Sequence, residues 1–129
     1  MRAVDTNVLV RLLMRDHPEQ LARVTAMLRA ATVYATPTVL LETEWVLRRG
    51  YRLRTQEIVV GLRSLLGLPE LRVERADAVA LALEWCEAGM DFADALHLAT
   101  AAGCDGFATF DRDFIKTASR LGVADVAEP

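Results

Sequence analysis

The chain has 129 residues, of which 53% are hydrophobic and 26% are charged, and its formal net charge is −3. This length and composition suit one globular domain with a continuous core and exclude a disordered chain. The longest uncharged span, residues 30–41, is too short to cross a bilayer, and the N-terminus does not have the pattern of a signal peptide. We therefore expect a soluble, cytoplasmic protein with no membrane partner.

The first half of the chain alternates short apolar runs with amphipathic segments. The run Met1–Val4 predicts a strand, and Asp5 or Thr6 is positioned to cap a helix from Thr6 to Met14. The same reasoning predicts four further elements: a helix opening at His17, a strand at Thr32–Thr36, a helix at about Thr38–Arg49, and a helix capped by Thr55.

The second half continues the alternation. The patterns predict strands at Leu71–Val73, Gly106–Phe110 and Val123–Val126, and helices at Asp77–Ala88, Phe92–Ala102 and Arg112–Leu121. Strands that alternate with helices indicate an α/β fold with three layers, α/β/α, around a central, mostly parallel sheet of four to five short strands. With no linker, repeat or low-complexity tract, we expect a single domain over residues 1–129.

Two acidic residues stand where a predicted strand ends. Asp5 follows the first strand and Asp111 follows the strand Gly106–Phe110. Ligand sites of open α/β sheets lie at the carboxyl ends of strands, although Asp5 can equally be a plain helix cap. Asn7 either braces the loop after Asp5 or starts the helix, and Thr109 could hydrogen-bond a ligating carboxylate.

A third acid comes from the helix at Thr38–Arg49, where Glu42 and Glu44 compete. Glu44 lies four residues before Arg48, which suits an ion pair on the solvent face. Glu42 has apolar neighbours three and four residues away, and a carboxylate among them needs a partner. We therefore assign Glu42 to the site.

The segment DFADALHLATA supplies the fourth acid, Asp94, in a helix dense in alanine. Asp91 could share the face of Asp94, but a role as the helix cap is favoured. His97 also shares that face and is interpreted as a hydrogen-bonded core group rather than a catalytic base. Asp113 is expected to interact with the helix dipole or to support the site.

Four carboxylates that met at one sheet edge would repel one another unless a cation neutralised them. Oxygen-only ligands indicate a hard divalent cation, Mg²⁺ or Mn²⁺. The motifs DTNV, LLETEWVL, DFADALHLATA and TFDRDF also occur in the order typical of one family. Together they resemble a PIN-domain ribonuclease, most closely the VapC-type toxin of a type II toxin–antitoxin system.

The resemblance implies a parallel sheet with surrounding helices, a homodimer, a cognate antitoxin and single-strand-preferring RNA cleavage with Mg²⁺ or Mn²⁺. By motif, it assigns catalysis to Asp5, Glu42, Asp94 and Asp111. Asp5, Asp94 and Asp111 are the expected metal ligands, and Glu42 is a ligand or a water-orienting base. Five residues are expected to support these acids or to position the substrate: Thr6, Asn7, Asp91, Thr109 and Asp113.

RNA binding requires positive charge, and the last helix carries Arg112, Lys116 and Arg120 at intervals of four residues. The same stripe is equally consistent with a solvated helix face. Apolar side chains on the Glu42 and Thr55 helices predict a dimer surface and a groove for an antitoxin segment.

Two other function classes stay open. One is a phosphoryl-transfer domain with a strand-end Mg²⁺ site, although Asn7 stands where such a site would place a second Asp. The other is a non-catalytic or regulatory PIN-like binding module. Metal binding measured by calorimetry would separate it from the enzymes.

Overall fold

The computed structural model describes all 129 residues, which fold as two compact units, Met1–Ala76 and Asp77–Pro129. Each unit has its own parallel sheet and its own buried core. Five short strands and seven helices alternate as the sequence predicts, which confirms the α/β class. The strands form a three-stranded and a two-stranded sheet instead of one central sheet. The expectation of one domain over residues 1–129 stays a prediction.

The first unit contains a parallel sheet in the order β1-β2-β3. Its strands are β1 (Arg2–Ala3), β2 (Val33–Ala35) and β3 (Leu71–Val73). β2 pairs with both neighbours, with Arg2 opposite Val33 and Val33 opposite Leu71. The predicted strands Met1–Val4 and Thr32–Thr36 are therefore present but shorter than the apolar runs that indicated them.

Four helices complete this unit: α1 (Thr6–Met14), α2 (Pro18–Ala30), α3 (Pro37–Trp45) and α4 (Thr55–Leu66). α3 continues as a π-helical turn, Val46–Gly50. The start of α2 follows local chemistry, because His17 Nδ1 accepts the Gln20 N–H at 3.2 Å and Pro18 occupies the first turn. The prediction that Thr55 caps α4 is wrong, since Arg54 holds the cap position and Glu57 accepts its N–H.

The second unit holds α5 (Ala76–Glu87), whose first residue closes the preceding unit, together with α6 (Phe92–Thr100) and α7 (Arg112–Leu121). Its two strands, β4 (Phe107–Ala108) and β5 (Val126–Ala127), pair in parallel. Gly122 ends α7 in the left-handed conformation, φ 65°, which a residue without Cβ adopts at least cost. None of the helices is long and apolar enough to cross a membrane.

Most of the apolar side chains once expected to be exposed are part of the first unit's core. Leu40, Leu47 and Ile58 are at most 1% exposed. Trp45, at 60%, and Val60, at 68%, are the large apolar side chains of α3 and α4 that remain exposed. The apolar surface left for a partner on these helices is therefore smaller than the sequence pattern indicated.

Candidate active site

Asp5 lies at the junction between β1 and α1, and its carboxylate contacts no hydrogen-bond donor there. Asp5 occupies the cap position of α1 in an extended conformation, but its side chain makes no capping hydrogen bond. The residue is exposed and forms no ion pair. The alternative of a plain helix cap is therefore not supported by the hydrogen bonding, and both carboxylate oxygens are open to a ligand.

Thr6 connects the start of α1 to Glu42 on α3. Its hydroxyl donates a hydrogen bond to Glu42 Oε1, and Thr6 itself is only 5% exposed. Glu42 is exposed, which corrects the expectation that apolar neighbours surround it. A buried hydroxyl thus orients an accessible carboxylate, and the supporting role of Thr6 in the site stays a prediction.

Glu44 is the buried carboxylate of α3. The predicted pair with Arg48 is present, with Arg48 Nε 2.7 Å from Glu44 Oε1. The expectation of a solvent-face pair is wrong, because Glu44 is 7% exposed. It belongs to a buried stripe along α3 and its π-helical extension, whose members follow helical spacing: Leu40, Thr43, Glu44 and Leu47.

In the second unit, Asp91 and Asp94 lie within the first turn of α6. Asp91 caps the helix by accepting the Asp94 N–H at 3.1 Å, as favoured from the sequence. Asp94 is partly buried, and this burial raises the pKa of its carboxyl group. The nearby carboxylates of Asp91 and Asp111 raise that pKa further, while His97 lowers it. His97 is exposed, so its interpretation as a core group is wrong.

Asp111 stands at the start of α7 and uses one carboxylate oxygen to cap it. Oδ1 accepts the N–H groups of Asp113 at 3.0 Å and Phe114 at 3.2 Å. Oδ2 makes no hydrogen bond. The sequence predicted that Thr109 would hydrogen-bond a ligating carboxylate. Instead, its hydroxyl accepts the backbone N–H of Asp111 at 3.0 Å and so fixes the turn. Asp113 is exposed in the first turn of α7, where its charge favours the helix dipole.

None of the site acids is neutralised by a basic side chain. Ion pairs join Glu44 to Arg48, Asp16 to Arg11 and Glu57 to Arg54. Five acids form none: Asp5, Glu42, Asp91, Asp94 and Asp111. Their donor atoms are all oxygens, which fit a hard divalent cation such as Mg²⁺ or Mn²⁺. No group of three or more acidic, histidine or cysteine side chains is assembled to enclose a metal ion.

Of the three basic side chains predicted to form a stripe on α7, two remain available to a ligand. Arg120 Nη2 donates to the Ala88 carbonyl at 2.9 Å, so this guanidinium is engaged within the fold. Arg112 and Lys116 are exposed and line a shallow pocket that also includes Glu128. The carboxylate of Glu128 weakens the attraction of this pocket for phosphate.

A second basic surface was not found by sequence reasoning. Asn7 lines a groove with Arg2, Arg11 and Arg23, which come from β1, α1 and α2. Because these arginines are far apart in the chain, no basic run marks them. Their common location follows from the packing of α1 on α2.

Comparison with protein families places this geometry in a known context. The family model described as PIN domain matches residues 2–120. No curated protein matches the chain. The matched range contains every acid of the candidate site, from Asp5 to Asp111.

Proposed function

Because the chain belongs to the PIN domain family, we propose that it is a metal-dependent endoribonuclease and the toxin of a toxin–antitoxin pair. PIN domains are generally metal-dependent nucleases. The observation that carries the proposal is the environment of Asp94. This partly buried carboxylate has Asp91 and Asp111 as charged neighbours and no arginine or lysine partner. Ionisation of such a carboxyl group costs free energy, and a bound divalent cation removes this cost.

The residues that would hold Mg²⁺ or Mn²⁺ are Asp5, Asp94 and Asp111. Each offers carboxylate oxygens without an ion-pair partner, although Asp111 already uses Oδ1 to cap α7. When bound, the ion supplies a lowered pKa for a coordinated water and polarisation of the scissile phosphate. Asp91 supports the site by fixing the first turn of α6, on which Asp94 lies.

The protein's own groups orient the water and handle its proton. Glu42, held by the Thr6 hydroxyl, accepts a proton from the attacking water. In-line attack of the water oxygen on phosphorus breaks the bond to the 3′ oxygen, which takes a proton from bulk water and leaves as a 3′-hydroxyl. The other product carries a 5′-phosphate. The RNA 2′-hydroxyl takes no part, so the products differ from those of ribonucleases that form a 2′,3′-cyclic phosphate.

The test is cleavage of a labelled single-stranded RNA by purified protein, with identification of the new ends. Mg²⁺ or Mn²⁺ should support cleavage, and EDTA should abolish it. Ca²⁺ should bind with little turnover, because its looser coordination suits in-line chemistry poorly. A 5′-phosphate on the product excludes a contaminating cyclising ribonuclease. Full activity in EDTA would contradict the proposal.

A non-catalytic binding module with the same fold is the second candidate. It is favoured by one observation, namely that no group of three ligating side chains is assembled around a metal position. Calorimetric titration with Mn²⁺ separates the two candidates. Saturable binding that Asp94→Asn weakens supports the nuclease, and no binding to the native chain supports the module.

The proposed partners are an RNA substrate, a cognate antitoxin and a second copy of the chain. Trp45 and Val60 supply exposed apolar surface that could contact a partner. Light scattering of the purified chain tests the homodimer, and co-expression with the neighbouring gene tests the antitoxin. A strictly monomeric chain with no stable partner would count against the toxin assignment and leave the nuclease proposal standing.

A further inference from the structure

The first unit contains a basic groove of about 400 Å³ between α1 and α2, to which β1 contributes Arg2. Three arginines line it, Arg2, Arg11 and Arg23, and no acidic residue does. The chain as a whole has 18 acidic and 15 basic residues, so a groove with three guanidinium groups and no carboxylate is more positive than the protein on average. Local charge of this kind, rather than net charge, determines where a polyanion binds.

The arginines of the basic groove differ in their availability. Arg11 Nε donates to Gln20 Oε1 at 2.6 Å, and Arg11 Nη1 lies 3.7 Å from Asp16. This guanidinium is therefore positioned and partly neutralised within the fold. Arg2 and Arg23 are exposed and form neither a hydrogen bond nor an ion pair through their side chains. Two free planar donors are suited to bidentate contacts with phosphate oxygens.

The remaining lining of the basic groove is partly apolar. Val24 is 8% exposed, and Val8 and Met27 are half-buried. Such a floor can contact the flat face of a nucleobase or a ribose, while the arginines contact the phosphates. The groove also reaches Asn7 in the first turn of α1, two residues after Asp5. A nucleic-acid strand in the groove would therefore run close to the β1–α1 junction.

We infer that the basic groove binds the phosphate backbone of the single-stranded RNA substrate, with Arg2 and Arg23 as the phosphate contacts. The inference rests on the proposed function and identifies the surface that holds its substrate. RNA is favoured over a protein segment because the free charges are guanidinium groups and the lining has no carboxylate. The pocket at Arg112 and Lys116 is less suited to this role, since it includes Glu128.

Binding is measured by fluorescence anisotropy with a short labelled single-stranded RNA, in the Asp94→Asn background so that the RNA stays intact. Arg2→Gln and Arg23→Gln are combined in one protein. The matched control is Arg29→Gln, because Arg29 is exposed on the same helix as Arg23 but lines a different pocket. The double variant should bind at least tenfold more weakly, and the control should change affinity by less than twofold. Thermal melts confirm that all variants fold.

The salt dependence provides a second readout. Each lost phosphate contact should reduce the slope of log affinity against log salt by about 0.7, so the double variant should lose about 1.4. Equal weakening by Arg29→Gln and the double variant would overturn the inference, because it would indicate non-specific charge attraction. An unchanged slope in the double variant would overturn it as well.

Results that contradict RNA binding by the basic groove can be distinguished from results that contradict the proposed nuclease activity. If the native chain cuts RNA and the double variant has the same KM and affinity, only the groove assignment falls. If the native chain neither cuts nor binds RNA with any divalent metal, the proposed function itself falls. If the double variant keeps its RNA affinity but loses a co-purifying antitoxin, the groove is a protein-docking surface and the inference is overturned.

Discussion

The carboxylate of Glu44 lies buried against Arg48, with Oε1 and Nε 2.7 Å apart across one turn of the α3 helix and its π-helical extension. Arg48 Nη1 also donates to the Thr55 hydroxyl at 3.0 Å. The guanidinium therefore links the end of α3 to the first turn of α4. Glu44 therefore has a structural role inside the first unit, in contrast to Glu42, which is exposed on the same helix.

The first prediction concerns the ion pair between the buried Glu44 and Arg48. Glu44→Gln removes the charge that balances Arg48 and should lower the free energy of unfolding by about 1–2 kcal/mol. The value is below that of a fully buried pair because the Arg48 side chain is 37% exposed. Urea denaturation measures the change. Glu19→Gln, at an exposed position of α2, is the control, and equal destabilisation by both variants would contradict the prediction.

The second prediction concerns the hydrogen bond from Thr6 to Glu42. Thr6→Val keeps the shape of this buried side chain but removes the donor, so Glu42 loses its orientation. On the proposed mechanism, kcat should fall by roughly tenfold, about 1.4 kcal/mol in activation free energy. Glu42→Gln should lower kcat further. The effect of Thr6→Val should then disappear in the Glu42→Gln background, and additive effects would show that Thr6 acts elsewhere.

The third prediction separates catalysis from folding at Asp94. Asp94→Asn retains the shape of the side chain but removes a carboxylate, so cleavage should slow by at least a hundredfold, about 3 kcal/mol in transition-state free energy. Mn²⁺ affinity should weaken in parallel. Asp105→Asn makes the same chemical change at an exposed residue of the same unit and should leave both values unchanged. Full activity of Asp94→Asn would eliminate the proposed metal site.

The fourth prediction is the pH dependence of stability in metal-free protein. Burial and the carboxylates of Asp91 and Asp111 raise the pKa of Asp94. The folded chain thus retains this proton at pH values where the unfolded chain has released it. The resulting stabilisation is fully present below the ordinary aspartate pKa of about 3.9 and is lost as the pH rises through the raised pKa.

Thermal melts in EDTA check this sign. The Tm of Asp94→Asn relative to the native chain should increase as the pH rises from the ordinary aspartate pKa, and then level off above the raised pKa. Saturating Mn²⁺ should reduce the difference by stabilising the native chain. A Tm difference that is the same at every pH would contradict the unfavourable ionisation of Asp94.

The fifth prediction concerns Phe110, which is 78% exposed and directly precedes Asp111. The backbone around it is held by Thr109, whose N–H donates to the Ala127 carbonyl at 3.0 Å and whose hydroxyl accepts from Asp111. An exposed ring on a fixed turn can stack on a nucleobase, which contributes about 1–3 kcal/mol. Phe110→Ala should raise KM for RNA roughly tenfold without lowering Tm. Phe110→Tyr should retain KM, and an unchanged KM in Phe110→Ala would exclude stacking.

Local chemistry explains which elements could be predicted from sequence. The helices Thr6–Met14 and Arg112–Leu121 have the predicted boundaries, and Arg112–Leu121 has them because the Asp111 cap and Gly122 define its ends. The strand Leu71–Val73 also has the predicted bounds, whereas the strands predicted at Met1–Val4, Thr32–Thr36 and Gly106–Phe110 are shorter, since pairing partners rather than apolar runs determine where a strand ends. The burial of Glu44 was missed because an i,i+4 ion pair has the same spacing on a buried face as on an exposed one. Likewise, the basic groove depends on packing between helices, which no single run of residues encodes.

Asp111 caps α7 in addition to its proposed role as a metal ligand, which affects how sequences of related chains should be interpreted. Its Oδ1 caps α7, so a descendant that had lost nuclease activity would still be penalised for replacing it, by about 1 kcal/mol of helix stability. Asp91 caps α6 in the same way. Asp5 makes no capping hydrogen bond, and folding alone does not require its carboxylate. Among relatives of this protein, retention of Asp5 should therefore distinguish active from inactive chains better than retention of Asp111.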